Sequence, residues 1–195
     1  MFRLFGFLAC FAALALGNAG VRFGHAIPGA PNVDVLADGT KVASNLGFEE
    51  FTTYVSAPAV PLDITVNVAG TEKTLLNVTV TPANGKFFTA VVNTKMGKPN
   101  ADVYADDLSI PQWGNCSVRF SHQSADTGAV DIYVGNTKIL TNVPYGAASP
   151  YLSLPAGGAT VSVKPTGTSV TALKANVNLK PLRIYSVFVE GNSAK

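Results

Sequence analysis

The chain has 195 residues, 47% hydrophobic and only 13% charged, with a formal net charge of +2. Gly and Pro together number 30, so the apolar material is interrupted often, which favours short strands joined by tight turns over long amphipathic helices. The near-neutral charge gives no electrostatic footprint for a nucleic-acid partner.

Residues 1–19 read as a secretory signal. Met1-Phe2-Arg3 is a short basic start, residues 4–16 are an almost unbroken apolar run, and Gly17-Asn18-Ala19 supplies small residues for cleavage after Ala19. The run is shorter than the roughly 20 residues of a membrane-spanning helix, and nothing later resembles a span. No membrane span is therefore expected, and the expected location is secreted, extracellular or at the cell surface. Removal of the signal would take Cys10 with it and leave Cys116 as the one thiol. An exported chain with a lone Cys either pairs it between molecules or buries it, and both remain open for Cys116.

From residue 21 the chain repeats itself at an offset of 97. Val21-Arg22-Phe23-Gly24-His25 lies over Val118-Arg119-Phe120-Ser121-His122, and the register holds without a gap to residues 94 and 191. Val33-Asp34 falls on Val130-Asp131, Thr40-Lys41 on Thr137-Lys138, Asn45 on Asn142, and Tyr54 on Tyr151. Twenty of 74 aligned positions are identical, well above chance for this composition, so the chain is a duplication. In the second copy, strands are expected over 117–122, 130–134, 138–143, 150–154, 160–164, 172–178 and 183–189. They are rich in Val, Ile, Thr and aromatics and are parted by turn pairs such as Gly135-Asn136. The first copy repeats the pattern, with Asp38-Gly39 and Asn84-Gly85 as tight turns. Seven strands per unit suit an all-β fold of two tandem β-sandwich domains with an immunoglobulin-like outline. The expected organisation is a first repeat over 20–94, a linker over 95–116 and a second repeat over 117–195.

The second copy carries a family resemblance. Val118-Arg119-Phe120-Ser121-His122-Gln123-Ser124-Ala125, Ala129-Val130-Asp131-Ile132-Tyr133-Val134, and Pro150-Tyr151-Leu152-Ser153-Leu154-Pro155-Ala156-Gly157 resemble the domain-of-unknown-function 4397 family. The linker run Asp106-Asp107-Leu108-Ser109-Ile110-Pro111 is similar to that family's inter-domain stretch. The resemblance covers both copies and implies exported, often tandem β-sandwich modules with no agreed activity or catalytic residues. The first copy departs from it at Glu49-Glu50-Phe51 and Val60-Pro61.

Residues that could carry chemistry are few. Period-two alternation puts His25 on the face of Val21 and Phe23, and His122 on that of Val118 and Phe120. Each then reads as a core histidine satisfying a backbone carbonyl rather than a metal ligand or base. Asp34 and Asp131 alternate against apolar neighbours and point the other way, so no His–Asp dyad is expected. Asp126-Thr127-Gly128 spells the aspartic-protease tripeptide, but its repeat partner Gly29-Ala30-Pro31 has no second carboxylate, and a turn is the plain reading. No nucleophile elbow, phosphate loop or metal motif is present. No catalytic residue, metal or cofactor is expected, and the chain is not read as an enzyme.

Asn77-Val78-Thr79 and Asn115-Cys116-Ser117 are N-glycosylation sequons, with Asn77 usable only on an outward face. The expected function is a non-catalytic surface or extracellular-matrix module acting by binding or self-assembly. The alternative is carbohydrate binding through exposed aromatics, with Tyr133, Tyr145 and Tyr151 as candidates. Charge divides unevenly between the halves. Residues 20–112 hold six bases against nine acids, for −3, and residues 113–195 hold seven bases against three acids, for +4. Units of opposite charge could attract head to tail, in a salt-dependent way.

Overall fold

In a computed structural model of the chain the described residues are 18–190. Most of the expected signal segment, with Cys10, lies outside them. The described residues form strands and no helix, and the chain divides into two compact units that part between Asp107 and Leu108.

The first unit holds β1 (Asn18–His25), β2 (Val33–Ala37), β3 (Thr40–Leu46), β4 (Val55–Pro58), β5 (Leu62–Val68), β6 (Thr74–Val80), β7 (Phe87–Lys95) and β8 (Lys98–Asp106). Its two sheets run in the order β4-β1-β7-β8 and β3-β2-β5-β6. β1 pairs with β7 in parallel and with β4 antiparallel, and every pairing in the other sheet is antiparallel. Alternation drives the assembly: along β5, Leu62, Ile64 and Val66 are buried while Asp63 faces water. Val21 and Phe23 from one sheet meet Val33, Val35 and Val66 from the other in a single apolar cluster. Each such side chain, fully buried, contributes about 1.5–3 kcal/mol. The β2–β3 turn needs two residues with positive φ, which Asp38 (46°) and Gly39 (77°) supply.

The second unit holds β9 (Asn115–His122), β10 (Val130–Val134), β11 (Thr137–Val143), β12 (Leu152–Pro155), β13 (Gly157–Pro165), β14 (Leu173–Leu179) and β15 (Ile184–Val189). Its sheets are β12-β9-β15 and β11-β10-β13-β14, the same pattern as the first unit without a counterpart of β8 among the described residues. Phe120, Ile132, Val163 and Val187 lie at its core.

Two expectations are corrected, and the structure bears on a third. The immunoglobulin arrangement puts strands one, two, five and four in one sheet and three, six and seven in the other. Here strand one joins four and seven, and strand two joins three and five, so the strand count agrees in the second unit, the first has an eighth strand, and the pairing differs in both. The linker expected over 95–116 is largely strand: Met96 and Gly97 take positive φ in a tight hairpin, and β8 pairs with β7 from Lys95↔Lys98 to Phe87↔Asp106. Residues 107–114 are what separates the terminal strands of the two units. Finally, a signal boundary after Ala19 would cut into β1. Ala19 is 0% exposed and pairs with Ala57, and the Asn18 carbonyl accepts the Gly85 N–H. Asn115 and Cys116 make the equivalent start of β9, where Cys116 pairs with Leu154 and the Asn115 carbonyl accepts the Leu182 N–H.

Candidate binding face

Polar side chains buried in both units turn out to be scaffold. His25 Nε2 lies 3.2 Å from the Pro31 carbonyl, and its Nδ1 accepts the Ile27 N–H. His122 Nε2 reaches the Thr127 and Gly128 carbonyls at 3.2 and 3.0 Å, and its Nδ1 accepts the Ser124 N–H. Carbonyls only accept, so the proton sits on Nε2 and each ring is a neutral bracket holding the loop that follows β1 or β9. Burial lowers both imidazole pKa values, and it outweighs the carbonyl bonds that favour the charged form. The Asp126-Thr127-Gly128 tripeptide is the loop His122 holds, and Asp126 accepts the Ser124 hydroxyl.

Asp34 and Asp131 are clamps. Asp34 takes Lys41 Nζ at 2.6 Å, the Asn45 N–H at 2.8 Å and the Gly70 N–H at 3.2 Å. Asp131 takes Lys138 Nζ at 2.6 Å, the Asn142 N–H at 2.9 Å and the Thr166 hydroxyl. Asn45 and Asn142 both sit at φ 54°, where the β2–β3 and β10–β11 ladders slip register. The lysine bond, then the backbone N–H groups, hold both carboxyls below the ordinary carboxylate range. Although alternation gives Asp34 and Asp131 the outward direction, both are buried, beneath their lysines.

A third shared device was not read from the sequence. Arg22 is buried on the first sheet, its Nε bonded to the Thr89 hydroxyl and its guanidinium 5.0 Å from the Tyr54 ring centre. Asp106 of β8 accepts both Tyr54 and Thr89 hydroxyls, at 2.7 and 2.6 Å. In the second unit Arg119 bonds Ser186 and stacks on Tyr151, also at 5.0 Å. Tyr151 is thus committed to packing. Tyr145 sets its ring edge-on to His122. Cys116 is fully buried, donates to the Leu154 carbonyl and has its pKa raised by burial. Of the two readings left open for Cys116, its enclosed position accords with the buried thiol rather than with an intermolecular disulfide. Asn115 opens β9 rather than lying in a linker, with its amide bonded to Ser153. Asn77 is exposed on β6 and accepts the Thr65 hydroxyl. Trp113, 85% exposed, is the most solvent-open aromatic among the described residues.

Tyr133 has a different setting. Cross-strand register lines up Lys138 on β11, Tyr133 on β10, Ser162 on β13 and Lys174 on β14 as successive neighbours on one sheet face. Lys164, two residues along β13, puts its ammonium 4.7 Å from the Tyr133 ring centre, and Lys138 lies 5.5 Å away. Such contacts are worth about 0.5–1 kcal/mol at exposed sites and leave the charge intact. Tyr133, Thr160, Ser162, Lys164, Thr171 and Lys174 line an open polar depression of about 310 Å³. Neither Lys164 nor Lys174 has an ion pair among the described residues. The corresponding row of the first unit is Lys41, Leu36, Thr65 and Asn77, with Asn67 in place of Lys164. The first unit has instead an apolar cleft of about 240 Å³ between its sheets, bordered by Ala37, Val42, Val55 and Ala57. The repeat-equivalent residues Val134, Ile139, Leu152 and Leu154 are larger and pack against the second core. No cluster of three or more metal-ligating side chains occurs among the described residues.

A duplicated all-β scaffold with buried polar brackets and unlike outer faces is the class of protein that these features define. The chain belongs to the DUF4397 family, described as a domain of unknown function, whose profile matches residues 19–133 and 118–195. No curated protein matches the chain. Among the described residues no helix is long and apolar enough to cross a membrane.

Proposed function

We propose that the protein is an exported, non-catalytic module that acts by binding or self-assembly outside the cell or at its surface, each unit serving as a β-sandwich platform. One observation carries this reading. The sheet row that holds Lys138, Tyr133, Ser162 and Lys174 in the second unit holds Lys41, Leu36, Thr65 and Asn77 in the first, on the same strand pattern. The titratable groups held most firmly, His25, His122, Asp34 and Asp131, are engaged in fixing loops and bulges, which leaves exposed faces as the places for contact. Sedimentation of the secreted protein across a salt series tests the assembly arm. Self-association that declines as salt rises supports it, and a salt-independent monomer at high concentration removes it.

Carbohydrate binding is the second reading, favoured by the polar depression around Tyr133 with its hydroxyls and amines. A glycan array with wild type and Tyr133→Ala tests it: a sugar signal lost in the variant supports the reading, and an array without signal contradicts it. Glycosylation at Asn77 belongs to the same proposal, since that side chain is exposed on the first unit's outer row.

A further inference from the structure

The geometry points to a ligand class for the second unit: we infer that the β10–β13–β14 face binds an acidic polysaccharide, one carrying carboxylate or sulfate groups. The inference rests on the carbohydrate reading and deepens it. Three observations meet on that face. The cations form an array rather than a scatter, because Lys138, Tyr133, Ser162 and Lys174 are register neighbours across four adjacent strands. That row spans roughly 14 Å at the usual inter-strand spacing, which suits several units of an extended chain better than one small anion.

The ammonium groups also differ in how they are held. Lys138 is committed to Asp131 at 2.6 Å and serves the clamp. Lys164 is steadied by the Tyr133 ring at 4.7 Å, a contact that orients the amine without neutralising it. Lys174 is exposed on β14, and neither lysine is ion-paired among the described residues. Tyr133 therefore acts here as a support for cations, its ring already covered, rather than as an open stacking surface for a neutral sugar. Thr160, Ser162 and Thr171 add hydroxyls between the amines, and these can bond sugar hydroxyls.

The first unit supplies an internal control. Its equivalent positions are Leu36, Asn67 and Asn77, and Asp63 stands where the second unit has Thr160. None of these equivalent positions is a cation, and the row's lysine is the clamp lysine Lys41. Of the +4 net charge of residues 113–195, Lys164 and Lys174 place two charges on this sheet face, beside the Lys138–Asp131 pair.

The test uses the full secreted chain and polygalacturonate, with its fully methyl-esterified form as a neutral twin. Binding to polygalacturonate should weaken as salt rises and drop by about tenfold or more in Lys164→Ala/Lys174→Ala. Lys86→Ala/Lys95→Ala makes the same change of net charge in the first unit and should leave binding near wild type. Unchanged thermal melts exclude misfolding as the cause. Equal binding of the neutral ester, lost on Tyr133→Ala but not in the lysine variant, would overturn the acidic inference and keep the carbohydrate reading. Absence of binding to either polymer, with no signal on the array, would overturn both. Polyphosphate or anionic vesicles binding as tightly as polygalacturonate would overturn the polysaccharide assignment in favour of charge alone.

Discussion

The two units keep the same buried chemistry and differ on their surfaces. Each has a histidine bracketing the loop after its first strand, an Asp–Lys–Asn clamp at a bulge, and an arginine stacked on a tyrosine. Apart from the cleft between the first unit's sheets, some internal differences come in compensated pairs. Gly24 lies beneath the Phe51 ring, and a Cβ at Gly24 would strike it; the second unit pairs Ser121 with Ala148 at the same bridge. Glu49 adopts φ 64° where the second unit has Gly146 at 76°. The residue types shared by both copies are therefore the ones that fold the chain. The row on the outer face, which is free to vary, is where the copies became chemically different.

The comparison can be broken most forcefully at β8, which has no counterpart among the described residues of the second unit. Asp106→Ala removes the carboxylate that Tyr54 and Thr89 donate to, beside the buried Arg22. Breaking a buried charged cluster typically costs about 3–5 kcal/mol. Hydrogen exchange followed by mass spectrometry should show β1 and β7 losing protection while β9 and β15 keep theirs.

Acid should act on both units alike. The folded-state pKa of His25 and of His122 lies below the ordinary value of 6.5, so the unfolded chain takes up protons first. The stability they support is complete above about pH 6.5 and falls as pH drops below it towards the depressed pKa values. The clamp carboxyls Asp34 and Asp131 are held below the ordinary 3.8, so their contribution is lost at lower pH, as it falls below that value. Thermal melts from pH 8 to pH 3 should decline in two stages, and His25→Gln should remove the first stage for β1 and its neighbours only. The smallest change expected is a gain. Ala57→Leu gives the first unit the residue of the second, Leu154, and fills part of the 240 Å³ cleft. Cavity filling commonly adds about 0.5–2 kcal/mol, read as a raised melting temperature of the first unit.

Much of the fold was legible in the sequence because alternation and turn residues are local. All seven second-copy strands fall where Val, Ile, Thr and aromatic runs place them, within a few residues. β8 was not legible: Lys98-Pro99-Asn100-Ala101-Asp102 has the composition of a loop, and it becomes a strand because β7 offers an edge to pair with. The strand order was also hidden, since pairing partners are set by long-range contacts rather than by pattern. Histidine burial followed from alternation, whereas the burial of Arg22 and Arg119 contradicts their charge and depends on tyrosines about 30 residues away. A signal boundary after Ala19 falls inside β1, because small residues mark a cleavage site whether or not they belong to a strand. The Gly17-Asn18 pair matches Gly114-Asn115, and under the proposed export the intact mass of the mature chain should show Asn18 and Ala19 retained. A mature chain starting at Gly20 would contradict the assignment of β1. The basic row needed register to be seen, although the charge split between the halves was its signal in the sequence.

The central claim is that one scaffold carries two different faces and that the second face alone binds an acidic glycan. Transplanting the row tests it most directly. Leu36→Tyr/Asp63→Thr/Asn67→Lys/Asn77→Lys rebuilds on the first unit the residues of Tyr133, Thr160, Lys164 and Lys174, with Lys41 already in place. Isothermal titration with a short oligogalacturonate should then give two sites per chain where wild type gives one. A stoichiometry that stays at one, in a variant whose melt is unchanged, would contradict the account.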